Sequence, residues 1–370
     1  MPANRAAWLT AKSARPLKVQ SAPYTPPSAN QIVVKNGAIA INLIDWSKQV
    51  IGDLMFSYMK YPFILGEDVA GEVIEVGSQI KRFKPGDRVL GHALAMDEHV
   101  NRAAEGGFQE YTILRSNMAS PIPSSLSYES ASVLPLCLST AACGLFQKDF
   151  LALDHPHPDG TKPKSSTVLI WGGSTRVGSN AIQLAAAAGY EVITTASPKN
   201  FAYVKKLGAA HVFDYRSKNV VEDIISHLEG KTSAGAVAIG NGSTEACIQI
   251  LSKAKGNKFV AQASFPWPEK MPTSPIGLIG LILSTLWWNL SIFFKGRTKR
   301  VQAKFIFGTT LMSNEVSRVI YEDFLPSALE QRTFVPAPEP EVVGKGLEFV
   351  QEALDLYQKG VSAKKVVVSL

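Results

Sequence analysis

A chain of 370 residues exceeds what one ordinary hydrophobic core organises, so two domains are expected. Its 46% hydrophobic and 19% charged residues exclude a disordered or fibrous chain and fit a soluble globular one. The net charge of +7 is not gathered into long blocks, so no nucleic-acid partner is expected. The densest basic run, KGRTKR at 295–300, reads either as solvated surface or as a local site for an anionic partner. Cys137, Cys143 and Cys247 form neither a C-x-x-C pair nor an even-numbered framework, which argues against a zinc knuckle and a disulfide scaffold. With an N-terminal stretch that lacks an apolar signal core, this predicts a cytoplasmic protein.

The first 136 residues alternate short apolar runs with Gly and Pro turns, as in NQIVVKNGAIAIN and AGEVIEVGSQIKRFKPGDRVLGH, and read as a β-rich domain. YPFILGEDVAGEVIEVG, 61–77, reads as an entry strand, a sharp turn and a buried strand. The character changes near SVLPLCLSTAACGLFQ. From there strands (STVLIW, YEVITTAS, HVFDY, GAVAIG, NKFVAQAS, KFIFGTT) alternate with helices (VGSNAIQLAAAA, NFAYVKKLGA, VVEDIISHLEG, STEACIQILSKAKG). Such βα units predict a parallel, doubly wound sheet over 137–310. Within it, IGLIGLILSTLWWNLSIFF at 276–294 runs 19 residues without a charge. It is expected to form a buried or groove-covering helix, as a substrate lid or a subunit contact; its length also admits membrane association. The tail, 311–370, reads as two helices, NEVSRVIYEDFLPSAL and EVVGKGLEFVQEALDLYQKG, and a final strand that completes the N-terminal domain.

The strongest signal is TVLIWGGSTRVGSNAIQLA. A buried strand runs into Gly172, Gly173 and Gly178, and a helix follows at once. Glycines there let a pyrophosphate approach free N–H groups at the helix start. The middle glycine of G-x-G-x-x-G is replaced by Thr175, so Ser174 and Thr175 offer hydroxyls, Arg176 offers a phosphate partner, and Val177 completes the loop. About 20 residues beyond the glycines, NAD enzymes place a carboxylate for the ribose 2′-hydroxyl. Here Ser197 and Lys199 stand there instead, which predicts NADPH. Tyr215 and Arg216 follow the third strand and are candidates to stack on adenine or hold the phosphate.

These motifs, with ILGEDVAGEVIEVG and the terminal GVSAKKVVVSL, resemble the medium-chain dehydrogenase/reductase superfamily across nearly the whole chain. The resemblance implies an α/β protein: a GroES-like β-rich catalytic domain, 1–136 completed by 311–370, plus a Rossmann domain with a doubly wound parallel sheet, 137–310. In zinc alcohol dehydrogenases of the superfamily the first motif reads G-H-E-x-x-G. Here Gly66 and Gly71 stand in place, but Glu67 and Asp68 replace the His and the Glu. The earlier cysteine region is AINLIDW, with Asn42 and Asp45, and the structural-zinc lobe has no cysteine. No metal is expected, and His92 and His99 read as surface or loop histidines. The sequence is most similar to the zinc-free branch, which holds quinone oxidoreductases and the trans-acting enoyl reductases of fungal polyketide synthases.

By that resemblance Thr140, Ile239 and Lys364 lie near the cofactor, Asn42 and Asp45 occupy the vacated metal region, and Tyr61 or Tyr58 is a candidate proton donor. The implied activity is NADPH-dependent hydride transfer to an activated C=C bond of an enone, quinone or enoyl thioester. Carbonyl or alcohol oxidoreduction is the alternative, as is an NADPH-binding membrane- or RNA-associated protein with little catalysis. The implied partners are a small-molecule or acyl substrate, an acyl carrier domain of a polyketide synthase, and at most a second copy, as monomer or homodimer.

Overall fold

The computed structural model describes residues 2–54, 56–266, 272 and 274–370. The chain divides into two units, residues 1–139 with 309–370, and residues 140–308.

The first unit is built on a mixed sheet. Its strands run in the order Glu339–Lys345, Lys364–Ser369, Gln31–Ala40, Asp68–Val76, Arg88–His92 and Ala119–Pro121, and Tyr111–Arg115 also pairs with Gln31–Ala40. A smaller sheet joins Lys18–Ala22, Asn4–Leu9 and Phe63–Ile64. β-Branched residues on these strands, among them Ile32, Val34, Ile39, Val69, Val73 and Val89, meet in one buried core. Each such side chain contributes about 1.5–3 kcal/mol by leaving water. The turn entering Asp68–Val76 depends on glycine. Gly66 has φ 99°, and a Cβ on it would sit 2.4 Å from the Phe108 ring. A Cβ on Gly71 would lie 2.1 Å from the Lys35 carbonyl, where two strands cross closely.

One element of the tail differs from expectation. EVVGKG does not begin a helix: Glu339–Lys345 is a strand, parallel to the C-terminal strand, and the helix is confined to Val350–Lys359. Val342 and Val343 favour the extended backbone, and Gly346, at φ 105°, breaks the chain before the helix.

The second unit carries the expected doubly wound sheet. Its parallel strands run in the order His211–Asp214, Glu191–Ala196, Ser166–Trp171, Thr232–Ala238, Phe259–Gln262 and Gln302–Phe305. The chain winds outward from Ser166–Trp171 on one side and then returns to Thr232–Ala238 on the other. The switch point therefore lies between these two strands, where such sheets bind ligands at their carboxyl ends.

The charge-free segment forms the helix Pro275–Lys299, but not a buried one. It rests on the helix Ser243–Lys253 through a narrow seam in which Trp288 Nε1 donates to Glu245 (2.7 Å) and Ile292 enters the core. The rest of its surface is open. Length and apolarity were legible in the sequence, but they do not say whether a neighbour covers the helix.

Candidate functional site

Strand register assembles a polar cluster in the first unit. Val367 faces Ala40, and Ala40 faces Asp68 across the other edge of the same strand. Asp68 in turn faces His92. Two residues beyond the Val367–Ala40 pair, in the same register, stand Lys365 and Asn42. One end of the sheet thus gathers Lys365, Asn42, Asp68 and His92.

All four are buried. Lys365 Nζ pairs with Asp68 Oδ2 at 2.6 Å, donates to Asn42 Oδ1 at 2.5 Å, and lies 3.6 Å from Cys137 Sγ. Asn42 Nδ2 donates to the same Asp68 oxygen (2.8 Å), and the Leu136 N–H donates to the other (2.6 Å). Lys365, and not Lys364, is the buried lysine of the pair. Lys364 is exposed and paired with Glu341 at 2.5 Å, outside this cluster. Asp45 sits beside the cluster with both oxygens on backbone N–H groups, those of Asn42 (2.8 Å) and Gly66 (3.1 Å). It ties the helix Leu43–Ile51 to the Gly66 turn. Burial holds its carboxyl well above the usual range.

A second chain of contacts continues from Glu67. His92 is not a loop or surface histidine: it ends the strand Arg88–His92 and is buried. Its Nε2 lies 3.4 Å from Glu67 Oε2, and its Nδ1 lies 3.0 Å from Ser139 Oγ. Ser139 Oγ is 2.8 Å from the Tyr321 hydroxyl, which donates to the Pro135 carbonyl at 3.0 Å. With the Tyr321 proton so placed, Ser139 donates to Tyr321 and accepts from His92 Nδ1–H. The Nε2 of a neutral imidazole then needs a proton from Glu67. Burial pushes the Glu67 carboxyl above its ordinary value of 4.5, the His92 contact opposing it, and its other oxygen has no hydrogen-bond partner. Glu67 is thus suited to hold a proton at Oε2. The fold therefore favours protonated Glu67, and the stability this confers is lost as pH rises from near 4.5 through the raised folded-state value. Glu67→Gln, which keeps a donor toward His92, is expected to be more stable than the wild type at neutral pH by on the order of 1 kcal/mol. That advantage vanishes below pH 4.5. Urea unfolding at about pH 4 and about pH 7.5 reads the difference, and an equal offset at both would count against a proton on Glu67.

Tyr61 does not join this cluster. Its hydroxyl donates to Asp53 (2.8 Å), its ring lies under Lys48, and burial with the Asp53 contact raises its pKa. Tyr58 donates to the Met96 carbonyl at 2.6 Å, and burial pushes it up to about 12. His99 lies in an exposed turn.

In the second unit the strand Ser166–Trp171 runs into Gly172, at φ 88°, and the helix Arg176–Ala187. Thr175, at the missing glycine's position, caps the helix: its Oγ1 accepts from Gly178 N–H (3.0 Å) and donates to the Gly172 carbonyl (2.7 Å). This hydroxyl is used in the turn itself, while Ser174, Arg176 and Val177 line the half-buried rim. A Cβ on Gly178 would lie 2.2 Å from the Gly172 carbonyl, and one on Gly173 would lie 2.2 Å from Thr194 Oγ1. Beside it, Ile239 N–H donates to the Trp171 carbonyl (3.2 Å). Gly240 and Gly242, at φ 101° and 74°, leave open space where their side chains would be. Helix-start N–H groups and bare glycine backbone at the switch point suit a dinucleotide. Ser197, after the strand Glu191–Ala196, is buried and accepts from Asn200 (3.3 Å); Lys199 is exposed. Arg216 lies over the exposed Tyr215 ring, 5.4 Å from its centroid. Thr140 is buried with its hydroxyl against Gly308, where a Cβ would approach to 2.7 Å.

Zinc does not fit the first cluster. Asn42 Oδ1 and Asp68 Oδ2, two of its oxygen donors, are already engaged by the Lys365 ammonium. A dication there would face a cation. Among the described residues a single His/Cys/Asp/Glu group converges closely enough for a metal: Glu191, His211 and His227. Lys231 Nζ stands in that group, 2.6 Å from Glu191 and 3.1 Å from His227, which again supplies positive charge where a metal would sit.

A GroES-like unit with a Rossmann unit that carries a glycine turn at its switch point defines a nicotinamide-dependent oxidoreductase. The chain matches the family models Alcohol dehydrogenase GroES-like domain over residues 28–124 and Zinc-binding dehydrogenase over residues 177–292. It is 56% identical to Dehydrogenase pigH of Monascus ruber over 370 residues, covering 100% of both chains. It is 35% identical to Trans-enoyl reductase himH of Aspergillus japonicus, covering 99% of this chain and 97% of that one. The crystal structure of an alcohol dehydrogenase superfamily protein from Novosphingobium aromaticivorans superposes with a TM-score of 0.74 at 22% identity, covering 99% of each chain. The chain belongs to the medium-chain dehydrogenase/reductase superfamily.

Lys365, Ser139 and Tyr321 were not singled out from the sequence, and His92 was read there as a surface or loop histidine. A lysine doublet before an apolar strand gives no sign of which lysine turns inward, because both faces of that strand are covered: Val366, Val367 and Val368 are all buried.

Proposed function

We propose that this chain is an NADPH-dependent reductase of C=C bonds conjugated to a carbonyl, working without zinc. The observation that carries this reading is the buried Lys365 ammonium within the oxygen set of Asn42 and Asp68. An isolated carbonyl or alcohol exchanges hydride poorly without a Lewis acid. A conjugated alkene accepts hydride at its β-carbon and spreads the charge onto the carbonyl oxygen, so hydrogen-bond donors suffice.

Bound NADPH supplies the hydride. The Gly172–Gly178 turn and the first N–H groups of the helix Arg176–Ala187 hold its pyrophosphate, and Ile239 and Thr140 border the nicotinamide. Ser197 and Lys199, with Tyr215 and Arg216, hold the adenosine 2′-phosphate. Asn42 and Asp45 keep the Gly66 turn and the Lys365 pair in place. Tyr61 is a poor proton donor because its hydroxyl is committed to Asp53, so protonation of the α-carbon draws on solvent. The similarity to Trans-enoyl reductase himH supports an enoyl compound as the substrate class.

The test is an NADPH-consumption screen of the purified protein across enones, quinones, saturated aldehydes and enoyl thioesters, paired with metal analysis. Turnover of enoyl thioesters or enones, undiminished by chelation, is expected. Aldehyde or alcohol turnover that needs stoichiometric zinc would replace this reading with a zinc dehydrogenase.

A further inference from the structure

A water-facing helix normally turns charged and polar residues outward. The helix Pro275–Lys299 does the reverse. Its seam to the rest of the second unit runs along Leu281, Thr285, Trp288, Ile292 and Gly296, spaced at helical intervals. On the far side Ile276 is 83% exposed, Leu283 61%, Trp287 73% and Phe293 59%. Ile279, Leu286, Leu290 and Phe294 extend the same exposed face. Patches of this extent on soluble proteins mark something that covers them. The 19 charge-free residues make an apolar rod about 28 Å long.

The charge pattern says what covers it. The rod ends in Lys295, Arg297, Lys299 and Arg300, all exposed. From residue 270 to residue 314 the chain has no Asp or Glu. A second copy packed against the same face would bring no carboxylate from its own helix to these four cations. A layer of anionic headgroups over acyl chains satisfies both halves at once, because apolar side chains enter the acyl boundary while basic ones stay among the phosphates. The Trp288–Glu245 bond and the buried Ile292 fasten the C-terminal half of the helix to the rest of the second unit, and the half-buried Leu281 and Thr285 continue that line, which favours lying in the interface over crossing the bilayer.

We propose that the helix Pro275–Lys299 seats this protein on an anionic lipid surface, its outward apolar face in the acyl boundary and its basic last turn at the headgroups. This stands independently of the reading of the catalytic site.

Flotation of the full chain with phosphatidylcholine vesicles, with and without phosphatidylserine, tests it. The protein is expected to float with the anionic vesicles, less with the neutral ones, and less again as salt rises from about 0.1 M to about 1 M. Leu283→Glu with Leu290→Glu, two exposed positions whose change leaves the core untouched, is expected to abolish flotation. Lys295→Glu with Arg297→Glu is expected to weaken partitioning roughly fivefold or more per removed cation. Wild-type protein that stays at the bottom with anionic vesicles overturns the proposal. So does a dimer on gel filtration that the leucine variants dissolve in the absence of flotation, an outcome that assigns the face to a second copy.

Discussion

Lys365→Met is expected to be the most damaging single substitution away from the large apolar core. It leaves the Asp68 carboxylate fully buried with its remaining partners, Asn42 and the Leu136 N–H, and no cation. Removing one member of such a pair costs about 3–5 kcal/mol, because the uncompensated charge stays out of water. A companion variant separates charge from shape. Lys365→Met with Asp68→Asn removes both charges and is expected to recover most of that loss, since a neutral buried pair escapes the charge-burial penalty. Urea or thermal unfolding reads both. A single variant as stable as the wild type would mean that the pair is not buried as described. The same variants bear on zinc: if Lys365→Met binds stoichiometric zinc while the wild type binds none, the lysine is what excludes the metal.

The second large effect concerns the cofactor. Lys199→Ala is expected to weaken NADPH binding roughly 10–100-fold, the worth of a charge-assisted contact, and to leave NADH binding unchanged. Lys199 is exposed, so the fold is not at risk and a loss of affinity has one meaning. Ser197→Asp should act from the other direction. It places a carboxylate where a ribose 2′-hydroxyl is recognised and a 2′-phosphate is repelled, and should invert the preference toward NADH. Titration of each variant with both cofactors by nicotinamide fluorescence gives the ratio directly. Equal NADH and NADPH affinity in the wild type would remove the 2′-phosphate from this corner of the second unit.

The two candidate regions differ in how far they could be read in advance. The dinucleotide turn is local: strand, glycines, cap and helix lie within residues 166–187, and each residue's role follows from neighbours a few positions away. Even there, the use of the Thr175 hydroxyl as a helix cap emerged only with the backbone in place. The polar cluster of the first unit is non-local. Lys365 meets Asn42 across 323 residues, and Ser139 meets Tyr321 across 182. No spacing rule links such positions: strand register brings Lys365 to Asn42, and Ser139 and Tyr321 meet from two helical segments.

By itself, then, the sequence determined the doubly wound unit, the β-rich unit closed by the C-terminal strand, the glycine turn and the missing zinc ligands. These are recorded in local propensity, periodicity and residue identity. Tertiary structure alone decided that Lys365 rather than Lys364 enters the interior and that Glu67 and His92 face each other in a dry setting. It also decided that the long helix Pro275–Lys299, with its charge-free stretch, lies open along one face. Burial and long-range pairing are properties of what a segment packs against, and a residue's neighbours in sequence do not carry that information.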